Sequence, residues 1–172
     1  MRPVADLGRL MVGQIPSLRR YAWALVADRT RADDLVQDCL ERAWSRSHLF
    51  RGQEDIRFWL FTILHNLYVS SVRRQSRQPV LIPLMDHLEG PSVRPVQEIS
   101  AEIADLDRAL AGLSADQRAA VLLVGVEDMT YQEAATVLAI PVGTLMSRLH
   151  RGRKRLRALM ADPPPARLRR VK

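Results

Sequence analysis

Two groups of side chains in this chain lie close enough together to act as units. Asp33, Asp34, Gln37, Asp38 and Glu41 put four carboxylates within nine residues. Paired carboxylates can move protons or hold a metal ion, but no histidine or nucleophile accompanies these. Their spacing instead puts them on one outward helix face, either solvated or offered to another macromolecule. The second group is basic: Ser147, Arg148, His150, Arg151, Arg153, Lys154, Arg155 and Arg157 follow closely, and no acid occurs between Gly143 and Ala161. Such a stretch suits phosphate oxygens and the edges of bases. The four histidines show no metal-ligand spacing. Cys39, the one cysteine, rules out an internal disulfide or a cysteine-based zinc site and reads as a small hydrophobe. With no phosphate loop or nucleophile–base set, an enzyme is the least favoured class, and neither a cofactor nor a small-molecule substrate is expected.

The charge balance agrees with a polyanion partner. Of the 26 basic residues all but Lys154 and Lys172 are arginine, and the net charge is +7. Residues 1–80 carry +5, residues 81–112 carry −4 and residues 113–172 carry +6. Two basic blocks around an acidic strip point to two contact surfaces. Hydrophobic residues make up 47% of the 172, enough to bury a core and too many for a disordered chain. No apolar run approaches the roughly eighteen residues a membrane span needs, and no cleavable leader is evident. The expected setting is the cytoplasm, with no direct membrane insertion.

Helical periodicity dominates the elements that must present these residues. Ala32, Leu35, Val36, Cys39, Leu40, Ala43 and Trp44 trace one apolar stripe. From Phe58 to Val72 a second stretch is apolar on most sides, with Thr62, Asn66, Ser70 and Arg73 as a narrow polar stripe. Pro79, Pro83, Gly90, Pro91 and Pro95 then forbid continuous helix and mark a linker. Helical pattern resumes near Ile99. Thr130 and Glu133 stand at capping-box spacing before a short helix, Ala139–Gly143 breaks it, and a second helix turns Leu145, Leu149 and Leu156 inward. Two short helices on a tight turn, the second basic, form a helix-turn-helix with a recognition helix for the major groove. The predicted fold is all-α: two small helical domains joined by a flexible proline-containing linker, the C-terminal one with the helix-turn-helix. The boundaries are 1–78, a linker 79–105, 106–161, and a basic tail 162–172.

The segments Leu113–Arg118, Val121–Val124, Met129–Ala135 and Pro141–Arg151 resemble the C-terminal domain of bacterial extracytoplasmic-function sigma factors. Ala32–Trp44 is similar to that family's polymerase-binding helix. Phe50-Arg51-Gly52 with Phe58–Asn66 resembles its segment for opening the minus-ten element. The likeness covers about residues 14–76 and 106–160, in the family's order.

This resemblance implies a factor that binds core RNA polymerase, directs it to promoter DNA and is masked by an anti-sigma factor. Asp33, Asp34, Gln37, Asp38 and Glu41 would dock on the clamp helices of the largest polymerase subunit, with Leu35 shared between that contact and the core. Asn66 would help hold a flipped non-template base, and Arg73, Arg74 and Arg77 suit nearby phosphates. Ser147, His150 and Arg151 occupy base-reading positions of the minus-thirty-five domain, with Thr144 and Arg148 on phosphates. Met146 departs from the family, where many members carry a basic residue. Trp59 reads as core, and Tyr68 as a lesser stacking candidate. Two rivals remain: a free-standing helix-turn-helix regulator, which leaves residues 32–44 and 58–77 unexplained, and a sigma-like decoy for an anti-sigma factor, a type that usually adds a receiver domain for which 172 residues leave no room.

Overall fold

A computed structural model describes residues 4–50, 55–77 and 101–161, and among these every regular element is a helix. In chain order they are α1 (Val4–Val26), α2 (Arg29–Ser45), a short 3-10 turn (Ser47–Leu49), α3 (Ile56–Arg77), α4 (Ala101–Ala111), α5 (Ala115–Gly125), α6 (Tyr131–Val137) and α7 (Val142–Ala161). The all-α expectation holds. The prolines and Gly90 of the linker, residues 51–54 and the basic tail lie outside the described residues. The last residues assigned to the linker, 101–105, belong to α4, where the proline run has ended and good helix formers follow.

The first three helices pack around the apolar stripes read from the sequence. On α2, Ala32, Leu35, Val36, Cys39 and Ala43 are buried. They meet Leu18, Tyr21, Ala22 and Leu25 of α1 and Leu60, Phe61 and Leu64 of α3, all buried. Asp28 caps α2, its side chain accepting from the Arg31 N–H at 2.8 Å. The Cys39 thiol donates to the Leu60 carbonyl at 3.4 Å, and burial pushes its pKa up to about 12. Trp44 departs from the stripe: it is half exposed, with its ring edge above Gly8 of α1.

The C-terminal helices are joined by caps that the sequence spells out. Ser114 and Gln117 form a capping box on α5, and Thr130 and Glu133 form one on α6. Gly152 of α7 lies so close to α5 that a Cβ there would come within 2.9 Å of Val121. Leu145 and Leu149 are buried against α5 and α6, as expected, and Leu156 partly so.

The two halves do not stand apart. α1 packs on α5 and α3 on α6, and one continuous apolar cluster runs through both halves. Three arginines tie the seam. Arg118 of α5 donates to the Ala24 carbonyl at 2.9 Å, and to the carbonyls of Leu110, Ala111 and Leu113. One guanidinium thus satisfies the open C-terminal ends of both α1 and α4. Arg20 meets the buried Glu127 carboxylate at 3.0 Å, and Arg57 of α3 donates to the Glu127 carbonyl at 2.6 Å. Arg118→Ala is therefore expected to cost about 2–4 kcal/mol of stability, because several helix-end carbonyls lose a charged donor. Urea denaturation measures this, and a loss below about 1 kcal/mol would show that water replaces those bonds.

Candidate nucleic-acid interface

The recognition element is built by local chemistry. The Thr130 hydroxyl accepts from the Glu133 N–H at 3.2 Å, and the Glu133 carboxylate accepts from the Thr130 N–H at 2.8 Å. The Thr130 hydroxyl also donates to that carboxylate at 2.8 Å, and this bond first, with the one from the Thr130 N–H, holds the Glu133 carboxyl below the usual carboxylate range. α6 ends at Leu138, Ala139 takes a left-handed conformation (φ 53°), and α7 starts just beyond Pro141. Ala134, Ala135 and Val137 of α6 and Leu145 and Leu149 of α7 are buried, which fixes the outward direction of the remaining α7 side chains.

On that outward face Ser147, His150 and Arg151 are exposed together. Ser147 donates to the Thr144 carbonyl at 3.0 Å, and the Arg151 Nε donates to the Ser147 carbonyl at 3.2 Å, so both are held along the helix. Thr144 is half-buried. Arg148 is part-buried and pairs with Asp116 of α5 at 2.8 Å, an engagement that nothing in the local sequence announces. Beside this face, Arg153, Lys154 and Arg157 border a shallow concavity of about 550 Å³ that also includes Tyr131, Met146 and His150.

On α3, Asn66 is exposed, as are Arg73 and Arg74. Arg77 closes the helix, and its side chain lies outside the described residues. Trp59 is partly buried against Phe50, their rings 5.2 Å apart, in keeping with a packing role. Tyr68 is also partly buried, its ring 6.1 Å from that of His65. His65, the residue before Asn66, is buried and shares a 3.1 Å hydrogen bond with the buried Tyr21 hydroxyl.

The acidic residues occupy a separate surface. Asp33, Asp34, Gln37, Asp38 and Glu41 are all exposed along α2. Asp33 pairs with Arg19 at 2.9 Å, and Gln37 donates to Glu41 at 3.0 Å. Leu35 sits at the border of this face and is 8% exposed, so it serves the core first. Among the described residues no cluster of potential ligands could hold a metal ion, and no helix is long and apolar enough to cross a membrane.

Sequence reading passed over α1 and the four residues that join the halves, Arg20, Arg57, Arg118 and Glu127. For α1 a signal existed: Leu7, Met11, Leu18, Tyr21, Ala22 and Leu25 recur at helical spacing. For the four joining residues none did, since their partners lie far away in the chain.

A capped helix, a tight left-handed turn and a basic second helix define a helix-turn-helix DNA-binding protein, here joined to a second helical unit with an acidic face. Comparison with known proteins narrows that class. Residues 11–65 match the sigma-2 domain of PhyR, and residues 103–156 match sigma-70 region 4. The sigma factor EcfG of Rhodopseudomonas palustris is 36% identical over 155 residues, which cover 87% of this chain and 82% of that one. RpoE of Cereibacter sphaeroides is 33% identical over 165 residues, 93% of this chain and 89% of that protein. The sigma factor RpoE of Bartonella quintana, solved in complex with the anti-sigma factor NepR, is 34% identical with a TM-score of 0.79, over 92% of this chain and 99% of that one. The chain belongs to the extracytoplasmic-function sigma factors of RNA polymerase: it is an alternative sigma factor.

The His65 environment sets a pH dependence. Burial above all lowers its pKa to about 4, with Asp116 acting in the opposite direction and Arg148 in the same one. The unfolded chain takes up this proton near pH 6.5, so below that pH it binds more protons than the folded chain. Stability is then constant in this respect above about pH 6.5 and falls toward about pH 4, by at most about 1.4 kcal/mol per pH unit. Denaturation of wild type and His65→Gln at about pH 5 and about pH 7 measures it; an equal drop in both proteins would remove His65 as the cause.

Proposed function

We propose that this chain binds core RNA polymerase through the outer face of α2 and brings it to promoters carrying two elements. Residues 1–78 take the polymerase and the minus-ten element, residues 106–161 take the minus-thirty-five element, and residues 79–105 connect them. The observation that carries this reading is the opposite charge of two outward faces on one chain. Asp34, Asp38 and Glu41 would repel a phosphate backbone and suit a basic protein surface, whereas α7 offers cations and polar groups with no acid.

Each site residue has a place in this reading. Asn66, exposed in the middle of α3, offers an amide with two donors and an acceptor to a base that has left the stack. Arg73, Arg74 and Arg77 follow toward the end of that helix and take phosphates. Ser147, His150 and Arg151 read base edges in the major groove, Thr144 contacts phosphate, and Arg148 does so on leaving Asp116. Catalysis of nucleotide transfer stays with the polymerase, and the complex works in the cytoplasm.

The compact arrangement cannot serve both elements at once. By their names they lie about 25 base pairs apart, roughly 85 Å of duplex. In the compact form α3 packs directly against α6. Residues 78–100 alone can span roughly 80 Å when extended, so the seam at Glu127 opens when holoenzyme engages a promoter. An anti-sigma protein is the expected inhibitor; the Bartonella relative in complex with one supports that partner. The match of residues 11–65 to a PhyR domain favours one rival, a decoy that binds an anti-sigma protein without starting transcription.

Transcription with purified chain and bacterial core polymerase on genomic promoter fragments tests these readings. Chain-dependent discrete transcripts establish promoter selection; polymerase binding without transcripts indicates the decoy, and neither indicates a free-standing regulator. Asn66→Ala should keep polymerase binding while reducing the permanganate reactivity of promoter thymines about tenfold, the worth of one good base contact. Asp34→Lys with Asp38→Lys should weaken polymerase affinity at least about tenfold by placing like charges at the interface; unchanged co-elution with core enzyme would assign docking elsewhere. Arg151→Ala should lose about 1–3 kcal/mol of discrimination at one upstream base pair, measured with single-substitution promoters.

A further inference from the structure

We infer that Met146 reads a thymine of the upstream promoter element through the C5-methyl group of that base, an inference resting on the assignment of α7 to the major groove made above. Met146 lies in the second turn of α7, in the N-terminal stretch from which a recognition helix reaches base edges. It is 51% exposed, beside buried Leu145 and Leu149 and among the polar residues Ser147 and His150.

A thioether on such a face has no charge and no donor to offer a phosphate. Among the groups that the four bases show in the major groove, only the thymine methyl is apolar. The concavity around Met146 has matching chemistry. Half-exposed Tyr131, at the start of α6, lines it with Met146, while Arg153, Lys154 and Arg157 supply cations. Apolar surface set among cations is what one methyl-bearing base edge between phosphates requires. The unbranched, polarizable methionine side chain can settle against that methyl without a strained rotamer. A lysine or arginine at this position would select guanine or phosphate instead.

The test uses holoenzyme formed from the full chain and a promoter found by in vitro transcription. Each upstream-element thymine, on either strand, is replaced in turn by deoxyuridine, which keeps all hydrogen-bonding groups and lacks the methyl. One replacement should weaken wild-type binding about three- to fivefold, the worth of one buried methyl group. Holoenzyme with Met146→Ala should bind the same two duplexes equally. Because Met146 is exposed, this variant should keep its thermal melting temperature. The inference is overturned if no deoxyuridine replacement weakens binding, if Met146→Ala responds as wild type does, or if the upstream element holds no A·T pair. Base-pair substitutions in the same element separate the two levels. If they weaken binding while deoxyuridine does not, Met146 alone is wrongly assigned. If they too have no effect, α7 does not read this element and both readings fall.

Discussion

A carboxylate removed from water needs a cation or a set of donors close by, and at Glu127 that need is met from the other half of the chain. The Glu127 side chain is only 4% exposed, and its partner Arg20 belongs to α1. Arg57 of α3 fastens the Glu127 backbone as well. The short connection between α5 and α6 is thereby held against two N-terminal helices, and it leads straight into the cap of the helix-turn-helix. With the Arg118 bonds and the apolar cluster that α1 and α3 share with α5 and α6, this junction sets the position of the recognition helix relative to α3. The tie is strong only while the seam is dry: Arg20 is itself half exposed, and water reaching Glu127 would screen the pair. A junction of this kind holds a compact form without making it permanent.

The charged faces draw their meaning from that compactness. α2 shows its acids to solvent, α7 shows its cations, and neither face is spent in joining the halves. Arg148 is engaged within its own half, by Asp116 of α5. A DNA phosphate would have to compete with that carboxylate, which sharpens the cost of adventitious binding to nucleic acid. The same principle applies to Arg118, whose guanidinium is committed to helix ends; burial lowers its pKa, and its donors all point to carbonyls. Arginine content alone therefore overstates how many cations are available to a polyanion.

What could be read from the sequence was what neighbouring residues decide among themselves. The Thr130–Glu133 box, the stripe through Ala32, Leu35, Val36, Cys39 and Ala43, and the inward leucines of α7 are set by spacing of three or four residues, and the structure has them as read. The exposed acids of α2 and the polar stripe through Asn66 were legible for the same reason. Trp44 was misplaced: it continues the apolar stripe by spacing yet stands half exposed, its ring edge over Gly8 of α1, a neighbour far off in sequence. The Arg20–Glu127 and Arg118–Ala24 contacts span 107 and 94 residues, and no local pattern marks either. α1 was legible but carries Pro16, which reads as a helix breaker. That proline is tolerated because it stands on the exposed side of the helix, where water can serve the carbonyl it leaves open.

The thiol of Cys39 has a consequence for how this molecule can be watched. It is the one thiol in the chain, fully covered between α2 and α3, and it is kept protonated by burial. Alkylating reagents react with thiolates, so the native state is silent toward them. Each labelling event then records a moment when α2 has lifted from α3. The chain carries its own stopwatch for breathing of the N-terminal core, and no reporter group has to be engineered to read it.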